Sequence, residues 1–466
     1  MMFDGQPQAQ PKLLFPFLLL LTFHFLSTTA NPNTVNLGLF LRLSTWDSTT
    51  NQRTKKGPPW EVSAATALIA VDHFNDRNGA VVPAFATLPT TCRVQFVPHF
   101  FDTQSHPKPS MNAYLQANYD GAWKAYKPEV IVGASRSAVS TPLAMLTGLN
   151  DVPQISYLST STELDNSNTY SSFLRTIPSD AITAKTIVQL LHNPPYNVLR
   201  LSVVYVNDAY GTSFMEALQE ACVGRGIVLT TYAFSFGNTN SIDDAVEAMA
   251  KAESRYVVAI VFDDDLEYLM KRASAAQIVG KGMPKKDEEP TNKWLWLFTD
   301  SIQSVKHVQD VSAVHALQGA LRVFANGKGP KVKGWLKYQN VWNAIKTTPG
   351  KAAQLIAKYN TFLPPLETTD PNFQFQLADN FFDLPLEERL ASGSVGDGAP
   401  FIFDAIASLG LAACAAAEQE SGDGTGESRG SVIHRLAKSN VFEGVSGDVA
   451  YNEQGSRSAQ TSRIEM

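Results

Sequence analysis

Residues 129–180 read EVIVGASRSAVSTPLAMLTGLNDVPQISYLSTSTELDNSNTYSSFLRTIPSD, and this stretch decides the fold. A short apolar strand over 129–132 runs into Gly133 and small residues, and a helix opens near Ser137. A second strand over 153–157 ends in hydroxyls at Ser159, Thr160, Ser161 and Thr162. A helix start presents unpaired first-turn N–H groups at the positive end of its dipole, which suits an anion. Two such strand ends side by side in a parallel sheet place Ser137 and Thr160 in one crevice at its carboxyl edge. Read locally, the same hydroxyls also serve as ordinary caps and turn residues.

Outward from this stretch, strands and helices alternate. Before it come a strand over 35–40, a helix over 61–75, a strand over 93–97 and a helix over 111–126. After it, helices over 181–191, 210–224, 242–251 and 266–279 alternate with strands over 199–206, 227–233, 256–262 and 294–298, the last ending at Thr299-Asp300. Strict alternation with short connections predicts α/β parallel sheets, and two consecutive sets predict two lobes. Beyond Gly319 the pattern changes to helices over 332–344 and 352–359, then a long one through Glu418 and a Gly/Ser/Glu loop over 421–430. The Lys-rich segment 328–351, interleaved with Trp335, Trp342 and Ile345, reads as an amphipathic helix with a solvated face.

At 466 residues, 44% hydrophobic and 18% charged, the chain fits two globular lobes. A net charge of -6 with no basic face argues against a nucleic-acid partner. Lys12, an apolar run over 13–26, and small residues at Thr28 and Ala30 predict a secretory signal peptide over residues 1–30. That run is shorter than the ~20 apolar residues of a spanning helix, and no later stretch is expected to reach that length. Export permits disulfides, and three cysteines allow at most one bridge. Cys222 and Cys414 fall in helical runs and read as small buried hydrophobes.

The sequence holds no Walker loop, no GxGxxG after a strand, no HExxH and no GxSxG, and its His and Cys form no metal spacing. No enzyme activity, cofactor or metal is expected. The acidic run Asp263-Asp264-Asp265, with Glu267, sits at a strand-to-helix junction and reads as capping and dipole complement.

Taken together, the residues resemble the extracellular ligand-binding domain of class C G-protein-coupled receptors, a Venus-flytrap form of the type I periplasmic-binding-protein superfamily. The resemblance is nearest to metabotropic glutamate and GABA receptors. It runs from Val35 to about Gly455 and rests on the ungapped stretch 133–180, the Asp208-Ala209-Tyr210-Gly211 turn, Phe403-Asp404-Ala405, and Phe442-Glu443-Gly444-Val445-Ser446-Gly447. It implies two α/β lobes joined by three crossings, near Pro178, within 319–323 and near Gly447. Lobe one is then 31–180 plus 323–447, lobe two is 181–322, and 448–466 begins a return to lobe two. It also implies an α-amino-acid site. Ser137 would take the ligand carboxylate, Asp300 its ammonium, Thr160 would assist and Tyr210 would face the ammonium with its ring. Ser159 and Ser161 are neighbours that could join in, Asp180 matches an acidic position near the hinge, and Trp46 falls roughly where GABA receptors carry a contacting tryptophan.

Departures narrow the expectation. The family's glutamate-clamping arginine falls at Ser63 and its lysine near Gly426, with Arg429 only nearby, so a neutral amino acid or amino-acid-like ligand is expected. No cysteine follows Asp102, and the chain stops soon after the third crossing. It is therefore expected to be either a soluble member or a truncated receptor, secreted or on the extracellular side, with membrane contact only through downstream segments. The first reading is a receptor ectodomain, homo- or heterodimeric through the lobe-one helices over 111–126 and 139–149. A soluble amino-acid-binding protein is the alternative, and a secreted hydrolase a distant third.

Overall fold

The computed structural model describes residues 33–47, 52–54, 60–280, 294–302, 305, 308–363, 375–391, 398–419, 426–458 and 462–465. The expected signal peptide lies outside them. Two sheets define two lobes. The first contains β1 (Thr34–Leu41), β4 (Gln95–Asp102), β5 (Val130–Gly133), β6 (Gln154–Ser156) and β7 (Phe173–Arg175), all parallel, in the order β4-β1-β5-β6-β7. A small hairpin of β2 (Thr45–Asp47) and β3 (Gln52–Thr54) follows β1. The second sheet is built from β8 (Arg200–Val206), β9 (Val228–Phe234), β10 (Tyr256–Ile260), β11 (Leu295–Phe298) and β12 (Leu321–Ala325), mutually parallel. The hairpin β13 (Val441–Gly444)–β14 (Gly447–Ala450) precedes β15 (Ser462–Glu465), which pairs antiparallel with β12.

Helices cover both sheets because their apolar faces have nowhere else to go. In lobe one these are α1 (Trp60–Asn75), α2 (Pro107–Tyr119) and α3 (Ser137–Leu149). Lobe two holds α4 (Asp180–His192), α5 (Ala209–Val223), α6 (Thr239–Ala250), α7 (Asp263–Ala275) and α8 (Val311–Ala316). The chain then returns to lobe one with α9 (Lys333–Thr347), α10 (Lys351–Asn360), α11 (Leu386–Ala391), α12 (Ala399–Gln419) and α13 (Arg429–Ser439). The expected helix over 111–126 starts earlier and ends at Tyr119. Asp120 caps a separate 3₁₀ turn there by accepting from Ala122 N–H. The Lys-rich segment is α9, with Trp335, Trp342 and Ile345 buried as its pattern required. One expectation fails on length: α12 has 21 residues and is apolar enough to cross a membrane. It is instead the central helix of lobe one, packed among α1, α9 and α13 with its own Asp404 fully buried.

The lobes have separate cores, and the cores locate the crossings. The first passage lies between β7 and α4. The second lies at the end of β12 rather than within 319–323, because Leu321 and Val323 pack in the second core while Ala325 packs against the first. The third does not fall at Gly447, which is the turn of the β13–β14 hairpin. Phe442, Val445 and Val449 hold that hairpin on the first core, and the passage lies between Ser458 and β15. Asp404 secures the hairpin by accepting from Val445 N–H at 2.5 Å and Ser446 N–H at 3.0 Å. The buried Arg457 guanidinium stands 3.4 Å from the same carboxylate. The Phe403-Asp404-Ala405 and 442–447 motifs are thus two halves of one buried polar joint.

Cys92 and Cys414 form a disulfide that ties the loop before β4 to α12. This corrects the reading of Cys414 as a free hydrophobe. Both spacing and helical context concealed it, since the partners lie 322 positions apart. Cys222 is free and buried, and burial pushes its thiol up to about 11, which keeps it inert. The native protein should therefore show no fast-reacting thiol in a thiol-reagent assay, and the denatured protein one per chain. Cys92→Ser should lower the melting temperature, with a loss of ~2–5 kcal/mol.

Candidate functional site

One wall is built at the carboxyl edge of the first sheet. β5 ends at Gly133 with φ of 133°, and a Cβ there would stand 2.3 Å from the Phe40 carbonyl oxygen, so only glycine makes the turn. The chain then enters α3 through Arg136, whose side chain makes no cap bond to the first turn. The helix start is left for something else to satisfy. Ser137 Oγ accepts from Ser161 N–H at 3.2 Å, joining the helix start to the loop after β6.

That loop is braced from behind. Ser156 Oγ donates to the Ala134 carbonyl at 2.6 Å, and Ser159 Oγ lies 2.8 Å from Ser140 Oγ. The fully buried Arg175 donates through Nη1 to the carbonyls of Ser159 (3.1 Å) and Ser161 (2.8 Å), through Nε to Ser456, and pairs with Asp165. Ser161 Oγ accepts from Glu163 N–H. The carbonyls of Ser159 and Ser161 are thus held within the loop by Arg175. Of this trio, Thr160 lines the cavity described below.

The opposite wall is the edge of the second sheet. Asp208 caps α5 by accepting from Tyr210 and Gly211 N–H, each at 3.0 Å. Gly211 is forced by the approach of α5 to β8, where a Cβ would sit 1.8 Å from the Val206 carbonyl oxygen. Tyr210 is buried, and its hydroxyl donates to Asp300 Oδ1 at 3.0 Å and lies 2.8 Å from Thr299 Oγ1. Ser137, Thr160, Tyr210 and Asp300 line a single cavity between the lobes, with Ser135, Leu158, Ser301 and others around them. About 70 Å³ of it is open to the centre of a water-sized sphere. That is room for roughly five waters.

A buried carboxylate lies behind the cavity wall. Asp180, the first residue of α4, is fully buried next to Thr160 and is not among the residues that line the cavity. Burial, then the neighbouring Asp300 charge, pushes its pKa well above the ordinary carboxylate value, while the Thr160 hydroxyl and Arg175 pull the other way. The Tyr210 phenol is likewise raised, by burial and then by Asp300 and Asp180. A helix start without a side-chain cap on one wall and the Asp300 carboxylate on the other suit a small zwitterion.

Several residues here were not foreseen. Arg136 and Arg42 line the cavity and reach across it, Arg136 to Asp208 at 2.7 Å and Arg42 to Asp264 at 3.0 Å. The acidic run was read as caps alone. It does open α7, but its N-cap is Phe262, Asp263 lines the cavity, and Asp264 holds Arg42. Asp265 accepts from Gly237 N–H at 3.0 Å, and burial still pushes it up to about 7. Pairing of this run with Arg42 is invisible in sequence because the partners lie on different lobes. Trp46 lies in β2, paired with Arg53, and its side chain is outside the described residues. Ser63 is buried within α1 and does not line the cavity. Among the described residues no cluster of three His, Cys, Asp or Glu could hold a metal ion.

The profile of the family described as "Receptor family ligand binding region" matches residues 65–466. Over 153 residues the chain is 32% identical to the extracellular calcium-sensing receptor of Homo sapiens, a match covering 32% of this chain and 14% of that receptor. Over 239 residues it is 26% identical to metabotropic glutamate receptor 4 of Macaca fascicularis, covering 47% of this chain and 24% of that protein. The chain thus matches a quarter or less of the length of either relative. Both relatives are receptors by name, and the homology supports a receptor ligand-binding domain. With two α/β lobes facing each other across one polar cleft, the chain belongs to the receptor-family ligand-binding region, as a homologue of class C receptor ligand-binding domains.

Proposed function

We propose that this protein binds a small neutral α-amino acid, or a close analogue, between its lobes on the extracellular side, and that the lobes close on it to signal. The observation that carries this reading is the convergence of Ser137, Thr160, Tyr210 and Asp300 on one cavity, with the buried Asp180 directly behind Thr160. In this reading the α3 start and Ser137 hydroxyl take the ligand carboxylate. Asp300 and Asp180 take the ammonium, under the Tyr210 ring. Charge-assisted bonds of ~1.5–3 kcal/mol each, made to both walls only when they are close, supply the differential affinity that shifts an open–closed equilibrium. A neutral side chain is favoured because the two cavity arginines are already neutralised by Asp208 and Asp264. Dimerisation through lobe one is part of the proposal, and Leu115 and Tyr119 of α2 and Met145 and Leu149 of α3 are exposed apolar residues there.

Thermal-shift screening against the common amino acids and GABA tests the site. At a hundredfold excess over Kd a ligand should add about 2.7 kcal/mol of stability. Ser137→Ala and Asp300→Ala should each abolish the shift, and a shift unchanged in both would remove the site assignment.

Asp180 gives a second test. Its folded pKa is raised, so the ligand-free protein keeps a proton that the unfolded chain has lost, and stability falls as pH rises from the ordinary carboxylate range through the raised value. A bound ammonium favours the charged carboxylate. Binding should therefore release up to about one proton, measurable by calorimetry in buffers of different ionisation enthalpy. Asp180→Asn should weaken binding and remove the proton release while leaving the ligand-free protein folded.

A further inference from the structure

We propose that Arg136 is a positioning residue that clasps the two lobes across the cleft, so that a larger share of the ligand-free molecules has both walls of the site assembled. This rests on the reading of a cleft that opens and closes, but not on the identity of the ligand. Arg136 belongs to lobe one, where its Nη1 donates to the Ser105 carbonyl at 3.1 Å. Its Nη2 crosses to lobe two and pairs with Asp208 at 2.7 Å. The guanidinium carbon stands 4.4 Å from the ring centroids of both Phe236 and Phe262, two lobe-two aromatics.

Three features make this a clasp rather than a decorative surface pair. The side chains of Arg136 and Asp208 are only 12% and 14% exposed, so salt screens them little. The weakly hydrated guanidinium loses less on entering an aromatic slot than an ammonium would, and its planar faces match the two rings. The contact is also reversible. In an open form Asp208 keeps its bonds to Tyr210 and Gly211 N–H, and Arg136 returns to water, so neither charge is stranded.

The placement along the chain gives the clasp its purpose. Arg136 immediately precedes Ser137, and Asp208 caps the helix whose second residue is Tyr210. Joining the clasp brings the two helix starts into register, and with them one ligand-facing residue from each wall. Arg42 with Asp264 forms a second strut from β1 to α7. Closure is then supplied partly by the protein, and the fraction of competent molecules, hence the apparent affinity, rises.

Small-angle X-ray scattering on the ligand-free protein tests this without any amino acid. Ligand-free wild type should scatter as a mixture of open and compact forms with a substantial compact share. Arg136→Ala and Asp208→Asn should raise the radius of gyration, with the open-to-closed ratio up roughly tenfold or more. Asp208→Asn retains an acceptor for the α5 cap, so it decides the matter if Arg136→Ala loses its circular-dichroism signature. The double variant should add little to either single one, and Arg136→Lys should restore part of the closed population. Wild type scattering with separated lobes alone, or folded variants indistinguishable from wild type, would overturn the clasp. Either result could occur with amino-acid binding intact, so failure here is separate from failure of the ligand reading.

Discussion

Asp180 is a fully buried carboxylate close to a second one, Asp300, and burial and that neighbour together favour its protonated form. It sits at the first passage between lobes, its N–H bonded to the Thr160 carbonyl at 2.9 Å. Everything around it is arranged to keep it there. Arg175 braces the Thr160 loop from behind, Asp165 joins Arg175 to Ser179, and Ser456 reaches the same network from the last passage. The hinge and the ammonium end of the proposed site are thus one buried polar assembly. A ligand that neutralises Asp180 and Asp300 acts directly on the residues that join the lobes.

The division of labour follows from fold topology. Parallel sheets put strand ends and helix starts on the same edge, and two sheets facing edge to edge give two sets of them. Lobe one offers a helix start without a side-chain cap. Lobe two offers a tyrosine held by Asp300 and Thr299. In the proposed reading neither wall binds both ends of a zwitterion alone, so closure is part of recognition.

Much of this was legible in the chain. Strand–helix alternation predicted two α/β lobes, and the small-residue turn before Ser137 marked a helix start open to an anion. The positions of Ser137, Thr160, Tyr210 and Asp300 came from resemblance, and the structure brings all four to one cavity. What stayed hidden were pairings across long separations. Cys92 with Cys414, Arg42 with Asp264 and Arg136 with Asp208 leave no periodic trace. Arg136 was passed over because it interrupts a run of small residues without altering its helix-start pattern. Crossing positions were misplaced because β12 and the β13–β14 hairpin look alike in apolar content, and only packing assigns each to a core. In the hydroxyl cluster, Thr160 lines the cavity, while the Ser159 and Ser161 carbonyls are tied to Arg175, a distinction no local pattern carries.

The most direct test of the amino-acid clamp is a crystal structure of the protein with the amino acid that stabilises it most. The account predicts the ligand ammonium within hydrogen-bond distance of Asp180 and Asp300, and its carboxylate at Ser137 and the α3 start. A ligand bound in the opposite sense, or one seated away from Asp180, would contradict it.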